Sequence, residues 1–411
     1  MRVLHVYTHH RGGGGAENFI RSTIELSRRH GMDVEVFSCN SNELSPGFLG
    51  RLAVGISAFH APGSIRRFRE ALESFRPDVV HAHDLFPLIS PRILGVCQRK
   101  GIPVVLSCEH YRLTCPVVTH FREGKVCTLC PGGREHWAVL KNCRGNVAES
   151  VTVALYSKFE SSLHMFTRNV DLFLAPSDFT REWLLANTAI SPDKIATLFP
   201  FPEIPEDAAD AGEGQYVGFA GRFVPEKGID TVLETARLTG IPFRLSRHAT
   251  YLVRVDLPPS AEVVVTNSRD DLRRFFRGAR MLVYPSIWYE TFGLAAAEAM
   301  SHGIPLIASR IGALSELVED GVDGFLFEPG NCHALAEKVA ILWNNPELAR
   351  RMGQAARQKA MRLWRPELHM RQLRGLYETV CARKQALSTP GRVPDLRSDS
   401  PLTAPTDESG Q

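Results

Sequence analysis

The run Tyr284-Pro285-Ser286-Ile287-Trp288-Tyr289-Glu290-Thr291-Phe292-Gly293-Leu294-Ala295-Ala296-Ala297-Glu298-Ala299-Met300 reads as strand, loop and helix in quick succession. Met281 to Tyr284 is a short apolar strand that Pro285 ends. Thr291 to Ser301 is rich in alanine and leucine, both strong helix formers, with Thr291 as N-cap. Such a loop aims a helix N-terminus past the sheet edge, where unpaired amides and the positive end of the dipole suit a phosphate. Glu290 stands at the lip of that loop. Glu298 lies two turns further on among alanines, where an unpaired carboxylate costs on the order of several kcal/mol, so a hydroxyl-bearing ligand is a fitting partner. Taken alone, the two glutamates are equally well read as a solvated loop residue and a helix residue touching a neighbouring cation.

Working outward from this run, the same strand-turn-helix grammar recurs. Tyr216 to Ala220 is a strand, followed by Gly221-Arg222-Phe223-Val224-Pro225-Glu226-Lys227-Gly228 and a helix from Ile229. Arg222 and Lys227 flank the turn, one offering a bidentate fork and the other a point charge, both suited to phosphate oxygens. After the central run come Gly303-Ile304-Pro305-Leu306-Ile307-Ala308-Ser309, then Gly312-Ala313-Leu314-Ser315-Glu316, then helices over Cys332 to Trp343, Pro346 to Leu363 and Pro366 to Arg383.

The N-terminal half repeats the alternation. Arg2 to Tyr7 is a strand entering Gly12-Gly13-Gly14-Gly15-Ala16-Glu17 and a helix bearing Phe19, Ile20, Ile24 and Leu26. Glycines there let backbone approach a ligand. A dinucleotide fingerprint fails because Glu17 stands where its third glycine belongs, although Asp33 lies at a suitable distance for the acidic residue of that motif. Strands at Asp33 to Cys39, Asp78 to His81 and Pro103 to Ser107 alternate with helices at Ile65 to Phe75 and Leu88 to Arg99, which predicts a parallel sheet flanked by helices. Ligands of such sheets bind beyond the C-terminal strand ends, where His81, His83, Glu109 and His110 fall. Histidines at strand ends serve as metal ligands or, more commonly, as hydrogen-bonding loop residues. A long helical pattern from Val147 to Arg168, a strand at Asp171 to Ala175 and a helix capped at Ser177-Asp178 complete this half. Pro200, Pro202 and Pro205 with the acidic run Glu206 to Glu213 mark a linker.

With 411 residues the chain exceeds one ordinary core and predicts two or three domains. Hydrophobic residues at 44% and charged residues at 23% are those of a globular protein. A net charge of +3 is too mild to indicate a nucleic-acid binder, though a local basic face remains compatible with peripheral contact to an anionic membrane. No apolar run approaches a membrane span or a signal peptide, so a cytoplasmic location is expected, with the inner membrane face as an extension of it. Nine cysteines argue for reduced thiols or a metal site over a disulfide framework. Cys115, Cys127, Cys130 and Cys143 are separated by eleven, two and twelve residues, tolerable for four thiolates around one structural zinc and equally consistent with four unrelated buried thiols.

Taken together, Glu290 and Glu298 with Phe292-Gly293 between them, Gly221-Arg222 to Lys227-Gly228, and Gly14-Gly15-Ala16-Glu17 resemble the signatures of the retaining family 4 (group 1) glycosyltransferases. The resemblance covers about residues 1 to 385 and is most specific in the second half. It implies an α/β chain of GT-B fold, with two Rossmann-like doubly wound domains facing across a cleft. The expected division is an acceptor domain over 1–198 with the cysteine insert at 115–143, a linker at 199–214, and a nucleotide-sugar donor domain over 215–365. A C-terminal helix at 366–387 crosses back to the first domain, and a Pro/Ser/Thr-rich tail at 388–411 is expected to be disordered.

The implied reaction moves a hexose from a nucleoside-diphosphate sugar to an acceptor hydroxyl with retained configuration, on a lipid-linked or polysaccharide precursor. By resemblance, Arg222 and Lys227 hold the diphosphate, so no divalent metal is required there. Thr291, Phe292 and Gly293 supply the loop amides, Glu290 holds sugar hydroxyls, Glu298 the ribose diol, Gly14 and Gly15 line the cleft, and His110 faces the transferred sugar. The sequence departs from the family at Leu245-Ser246-Arg247-His248-Ala249-Thr250, where a glycine-rich turn is usual, and at Gly312-Ala313, where Gly-Gly is usual. Two other readings share the fold: a sugar-nucleotide epimerase, and a catalytically silent scaffold subunit.

Overall fold

The computed structural model describes residues 1–9, 15–40, 62–248 and 256–388. It divides into two compact units, one of Met1–Thr119, Thr128–Leu198 and the segment from Met370, the other of His120–Cys127 and Phe199–His369. Gly14 and its glycine neighbours at 12–13, the His248 turn beyond that residue, and the tail from 389 lie outside the described residues.

The first unit is built on a six-stranded parallel sheet in the order β2 (Asp33–Asn40), β1 (Arg2–His9), β3 (Val79–Ala82), β4 (Val104–Ser107), β7 (Leu172–Ala175) and β8 (Ile195–Thr197). Strands β3 and β7 are buried at every position, as the near-continuous apolar runs of a sheet covered on both faces demand. One face packs on Phe68, Leu72, Ile93 and Leu94 from helices. The other packs on Ile20 and Ile24 and on Met370, Leu373, Tyr377 and Val380 of the helix Pro366–Ser388.

The second unit repeats the plan with the order β11 (Ala261–Val265), β10 (Phe243–Arg247), β9 (Tyr216–Ala220), β12 (Ala279–Tyr284), β13 (Leu306–Ser309) and β14 (Gly324–Phe327), again all parallel. Both units are Rossmann-like. No helix among the described residues is long and apolar enough to cross a membrane.

Two local expectations are corrected, and one element is new. The helix expected over Leu88 to Arg99 begins only at Arg92, with Pro91 as its N-cap residue. The helix expected from Val147 to Arg168 is broken into Val147–Ser162 and Met165–Asn169 by His164, whose φ of 51° is left-handed. In the cysteine insert an antiparallel hairpin pairs β5 (Phe121–Arg122) with β6 (Lys125–Val126). Its central Glu123 and Gly124 have φ of 50° and 75°, as a tight hairpin turn of matching twist requires.

Candidate donor and acceptor sites

In the second unit β12 ends at Tyr284, and the loop that follows folds around the Glu290 carboxylate. Lys227 Nζ at 2.6 Å, the Ser286 hydroxyl at 2.6 Å and the Trp288 indole N–H at 2.8 Å all donate to Glu290 Oε1. Glu290 is 4% exposed, so the charge-assisted pair with Lys227 is shielded from solvent. Burial works to lower the Lys227 pKa, but the Glu290 carboxylate beside it outweighs burial and holds the ammonium above its ordinary value. The same Nζ sits 5.1 Å from the Trp288 ring centroid and 5.6 Å from that of Tyr284, an aromatic cradle for a cation. Ser286 and Trp288 are functional neighbours that the spacing of motifs did not single out, since neither carries a periodic or charged signal.

The turn that carries Lys227 is locked from both sides. Gly228 has φ of 72°, and a Cβ there would lie 1.9 Å from the Pro285 carbonyl oxygen. Only glycine lets the turn press against the loop leading to Glu290. Arg222, by contrast, is exposed and makes a 3.5 Å ion pair with Glu226.

The helix after Glu290 spans Leu294–Ser301, not Thr291 onward, and its N-cap is Gly293 in the left-handed region at φ 101°. Thr291 is therefore not the cap: the left-handed turn at Gly293 stops the helix from extending back. Gly293 makes no side-chain cap, which leaves the first helical amides to a ligand. Phe292 is buried, packed edge-on against Trp364 at 5.7 Å and near Phe199 at 6.2 Å, so it anchors the loop and offers only backbone to the site. Gly312 packs on the Glu290 backbone at φ 56°, whereas Ala313 has a helical φ of −63°. The departure from Gly-Gly thus falls on the position that tolerates a side chain. Burial pushes Glu298 up to about 7, with Arg269 working against it.

In the first unit His110 lies at the end of β4 with Nε2 3.0 Å from Asp84 Oδ2. Its neighbour Glu109 is 2.9 Å from His83 Nδ1, and His83 Nε2 is 3.0 Å from His5 Nδ1. Burial pushes Glu109 up to about 8 and His83 down to about 3, so this contact is a hydrogen bond between neutral partners. His81 is held by the Tyr377 hydroxyl at 2.6 Å and Ser107 at 2.8 Å. Gly15 opens the first helix, whose Glu17 accepts from His9 at 2.8 Å and Arg21 at 2.9 Å. Burial alone would raise Glu17, and those two partners bring it below its ordinary value.

Among the described residues, His5, His81 and His83 form the group of three potential metal ligands whose atoms lie within 4.8 Å of one another; the cysteines form none. A structural zinc held by Cys115, Cys127, Cys130 and Cys143 therefore has no support in the structure. Cys130 and Cys143 instead join Ala138, Ala154 and Trp137 in a small apolar cluster, acting as compact hydrophobes. The Cys127 amide and carbonyl are taken up by His120 at 2.8 and 2.9 Å.

Two parallel-sheet Rossmann-like units are the arrangement of the GT-B fold. Two family models match, "Glycosyltransferase Family 4" over residues 13–201 and "Glycosyl transferases group 1" over 255–359. The chain belongs to this group 1, family 4 lineage.

Its relatives include an uncharacterized glycosyltransferase of Methanocaldococcus jannaschii, 34% identical over 35% of this chain and 42% of the relative. D-inositol 3-phosphate glycosyltransferase 1 of Catenulispora acidiphila is 27% identical over 82% and 84% of the two chains. The chain thus spans under half of the first relative and most of the second. Among solved structures, sucrose-phosphate synthase from Thermosynechococcus elongatus superposes with a TM-score of 0.68 at 18% identity, covering 93% of this chain and 99% of that one. Anabaena HepE in complex with UDP and glucose gives 0.62 at 18% identity, covering 92% and 100%. At such identities these likenesses speak for the fold.

Proposed function

We propose that this protein transfers a hexosyl group from a nucleoside-diphosphate sugar to an acceptor hydroxyl with retained anomeric configuration, in the assembly of a polysaccharide or glycolipid. The observation that carries this reading is the Lys227–Glu290 pair at 2.6 Å beside the uncapped helix that begins at Leu294. When a donor arrives, Lys227 and Arg222 take the diphosphate together with the helix amides, and Glu290 turns its carboxylate to the sugar hydroxyls. Negative charge builds on the departing diphosphate, and groups already fixed in place stabilise it without reorganising at that moment. Two cations and a helix N-terminus supply that stabilisation, so the reaction proceeds without a divalent metal at the diphosphate. Glu298 holds the ribose diol, and His110, with Asp84 beside its imidazole, keeps the catalytic role that the family resemblance implies. The structures of Anabaena HepE in complex with UDP and glucose and with UDP-glucose support a nucleotide-sugar donor.

The test is incubation of the pure protein, with and without added chelator, with a panel of labelled nucleotide sugars. Slow donor hydrolysis that survives the chelator is the expected outcome. Epimerised donor without hydrolysis points to an epimerase, and an inert protein to a scaffold. Lys227→Ala should lower kcat/KM by roughly 2 to 4 kcal/mol, the scale of one lost preorganised stabiliser. Unchanged turnover in a correctly folded variant removes Lys227 from the diphosphate.

A further inference from the structure

A cavity of about 710 Å³ lies wholly within the first unit, between the cysteine insert and the helices Val147–Ser162 and Asp178–Asn187. That size falls in the usual range for small-molecule sites, roughly 300 to 1,000 Å³. Its wall carries polar atoms that the fold leaves unsatisfied. Glu160 is 5% exposed and Ser157 7%, yet Glu160 Oε1 and Ser157 Oγ have no hydrogen-bond partner among the described residues. They sit three residues apart on one helix face, both lining the cavity. Glu135, 8% exposed, adds an Oε2 whose nearest cation is Lys158 at 3.6 Å. Buried polar atoms of this kind cost stability unless a ligand completes them.

The unsatisfied set mixes acceptors and donors. Lys158 donates to the Gly133 carbonyl at 3.1 Å and Arg134 to the Pro131 carbonyl at 3.0 Å, while Arg112, 4.3 Å over the Phe86 ring and 3.7 Å from Asp84, keeps an Nε–H without a hydrogen-bond partner among the described residues. Carboxyl oxygens of Glu160 and Glu135 accept, the Ser157 hydroxyl does either, and Arg112 Nε donates. Sugar or polyol hydroxyls both donate and accept and answer such a set, whereas a phosphate brings acceptors and leaves the carboxyl oxygens unanswered. Apolar walls from Leu113, Phe166 and Ile190 suit the C–H faces of a sugar ring. The cavity also has a neighbour: Arg112, Leu113 and Phe166 line both it and a small cavity that contains His110 and Asp84.

We infer that this cavity binds the carbohydrate portion of the acceptor, one or two neutral sugar or polyol rings, with Glu160 and Ser157 receiving its hydroxyls and the reacting end directed toward His110. The inference rests on the glycosyltransferase reading above for its word acceptor, while the carbohydrate site itself stands on the cavity alone. Burial pushes Glu160 up to about 8, against the Tyr156 hydroxyl and Arg112, which favours a neutral carboxyl that both donates and accepts and so suits a hydroxyl partner better than an ammonium.

The test uses the full chain and two separate binding measurements. Saturation-transfer NMR is run with methyl glycosides of glucose, galactose, mannose and N-acetylglucosamine, their disaccharides and myo-inositol. Calorimetry is run with UDP-glucose, UDP-N-acetylglucosamine and GDP-mannose. At least one saccharide should bind the wild-type protein. The near-isosteric Glu160→Gln should weaken it about tenfold and the cavity-filling Ser157→Leu should abolish it, each with a native melting profile and undiminished nucleotide-sugar binding. Saccharides that fail to bind, that bind both variants as tightly as wild type, or that are outcompeted at this site by inorganic phosphate overturn the inference. Loss of nucleotide-sugar binding in the wild type with saccharide binding intact overturns the donor reading instead.

Discussion

Glu290 and Glu298 are the same residue type eight positions apart, and their surroundings separate their work. Glu290 is buried in a loop and saturated by Lys227, Ser286 and Trp288 on one oxygen. It is placed to change partners as charge develops, and interactions made chiefly in the transition state appear in kcat. Glu298 is in the helix, near enough to Arg269 to feel its charge. Its proposed grip on a ribose is alike in ground and transition states, and uniform binding of that kind appears in KM. Glu290→Gln should therefore depress kcat strongly with a modest change in donor KM, while Glu298→Gln should mainly raise donor KM; a reversed pattern places the helix the wrong way over the donor. The pH dependence adds an independent check. With Glu298 titrating at about 7, its carboxylate is lost as pH falls from 8 to 6 and donor KM should rise, a trend that Glu298→Gln should flatten. An identical pH profile in the variant would remove Glu298 from the donor.

At the scale of the element, the turn Gly221 to Gly228 decides where Lys227 points. Gly228 initiates the helix Ile229–Thr239 from a left-handed conformation and presses against the Pro285 carbonyl. An alanine there pays about 1–2 kcal/mol for the backbone alone, and its Cβ at 1.9 Å forces the turn away from the β12 loop. Gly228→Ala should lower the melting temperature and raise donor KM together. Gly240→Ala, at another left-handed helix end with nothing within 4 Å of its Cβ, should show the stability loss without the KM change. Equal kinetic effects in the two variants would show that the turn does not position Lys227. The broken helix at His164 and the hairpin at Glu123-Gly124 were illegible for a related reason: left-handed non-glycine residues leave no periodic trace in the sequence.

Across the whole molecule, buried histidines tie stability to pH. Burial pushes His83 down to about 3 and His369 down to about 4, and lowers His5 as well. The unfolded chain protonates these imidazoles near 6.5, so below that pH their contribution to stability falls on acidification. The buried carboxyls of Glu109, Glu160 and Glu298, raised to about 8, 8 and 7, work the other way, because the folded chain holds their protons at a pH where the unfolded chain has lost them. The sign for one histidine is therefore read as a difference between variants: His83→Gln should move the change in urea midpoint between pH 7 and 5 toward greater stability at pH 5 than the wild type shows. An identical change in wild type and variant would remove His83 from the pH dependence.

The alternation of strands and helices, the glycine-marked turns, and the residue types at Arg222, Lys227, Glu290 and Glu298 were legible in the sequence, because each depends on chain-local geometry or on a motif of fixed spacing. So were the ends of the helices Cys332–Trp343 and Pro346–Leu363, where asparagine caps precede them. Tertiary structure alone decided three matters. Ser286 and Trp288 converge with Lys227 on one carboxylate oxygen because β9 and β12 are neighbours in the sheet, although the residues stand about sixty positions apart. The cysteines at 130 and 143 pack as hydrophobes, because a spacing tolerable for zinc fixes separation along the chain but not the direction in which thiols point. The unsatisfied oxygens of Glu160 and Ser157 are visible only once the insert and two helices close a cavity around them, since burial is a property of packing and not of any one segment.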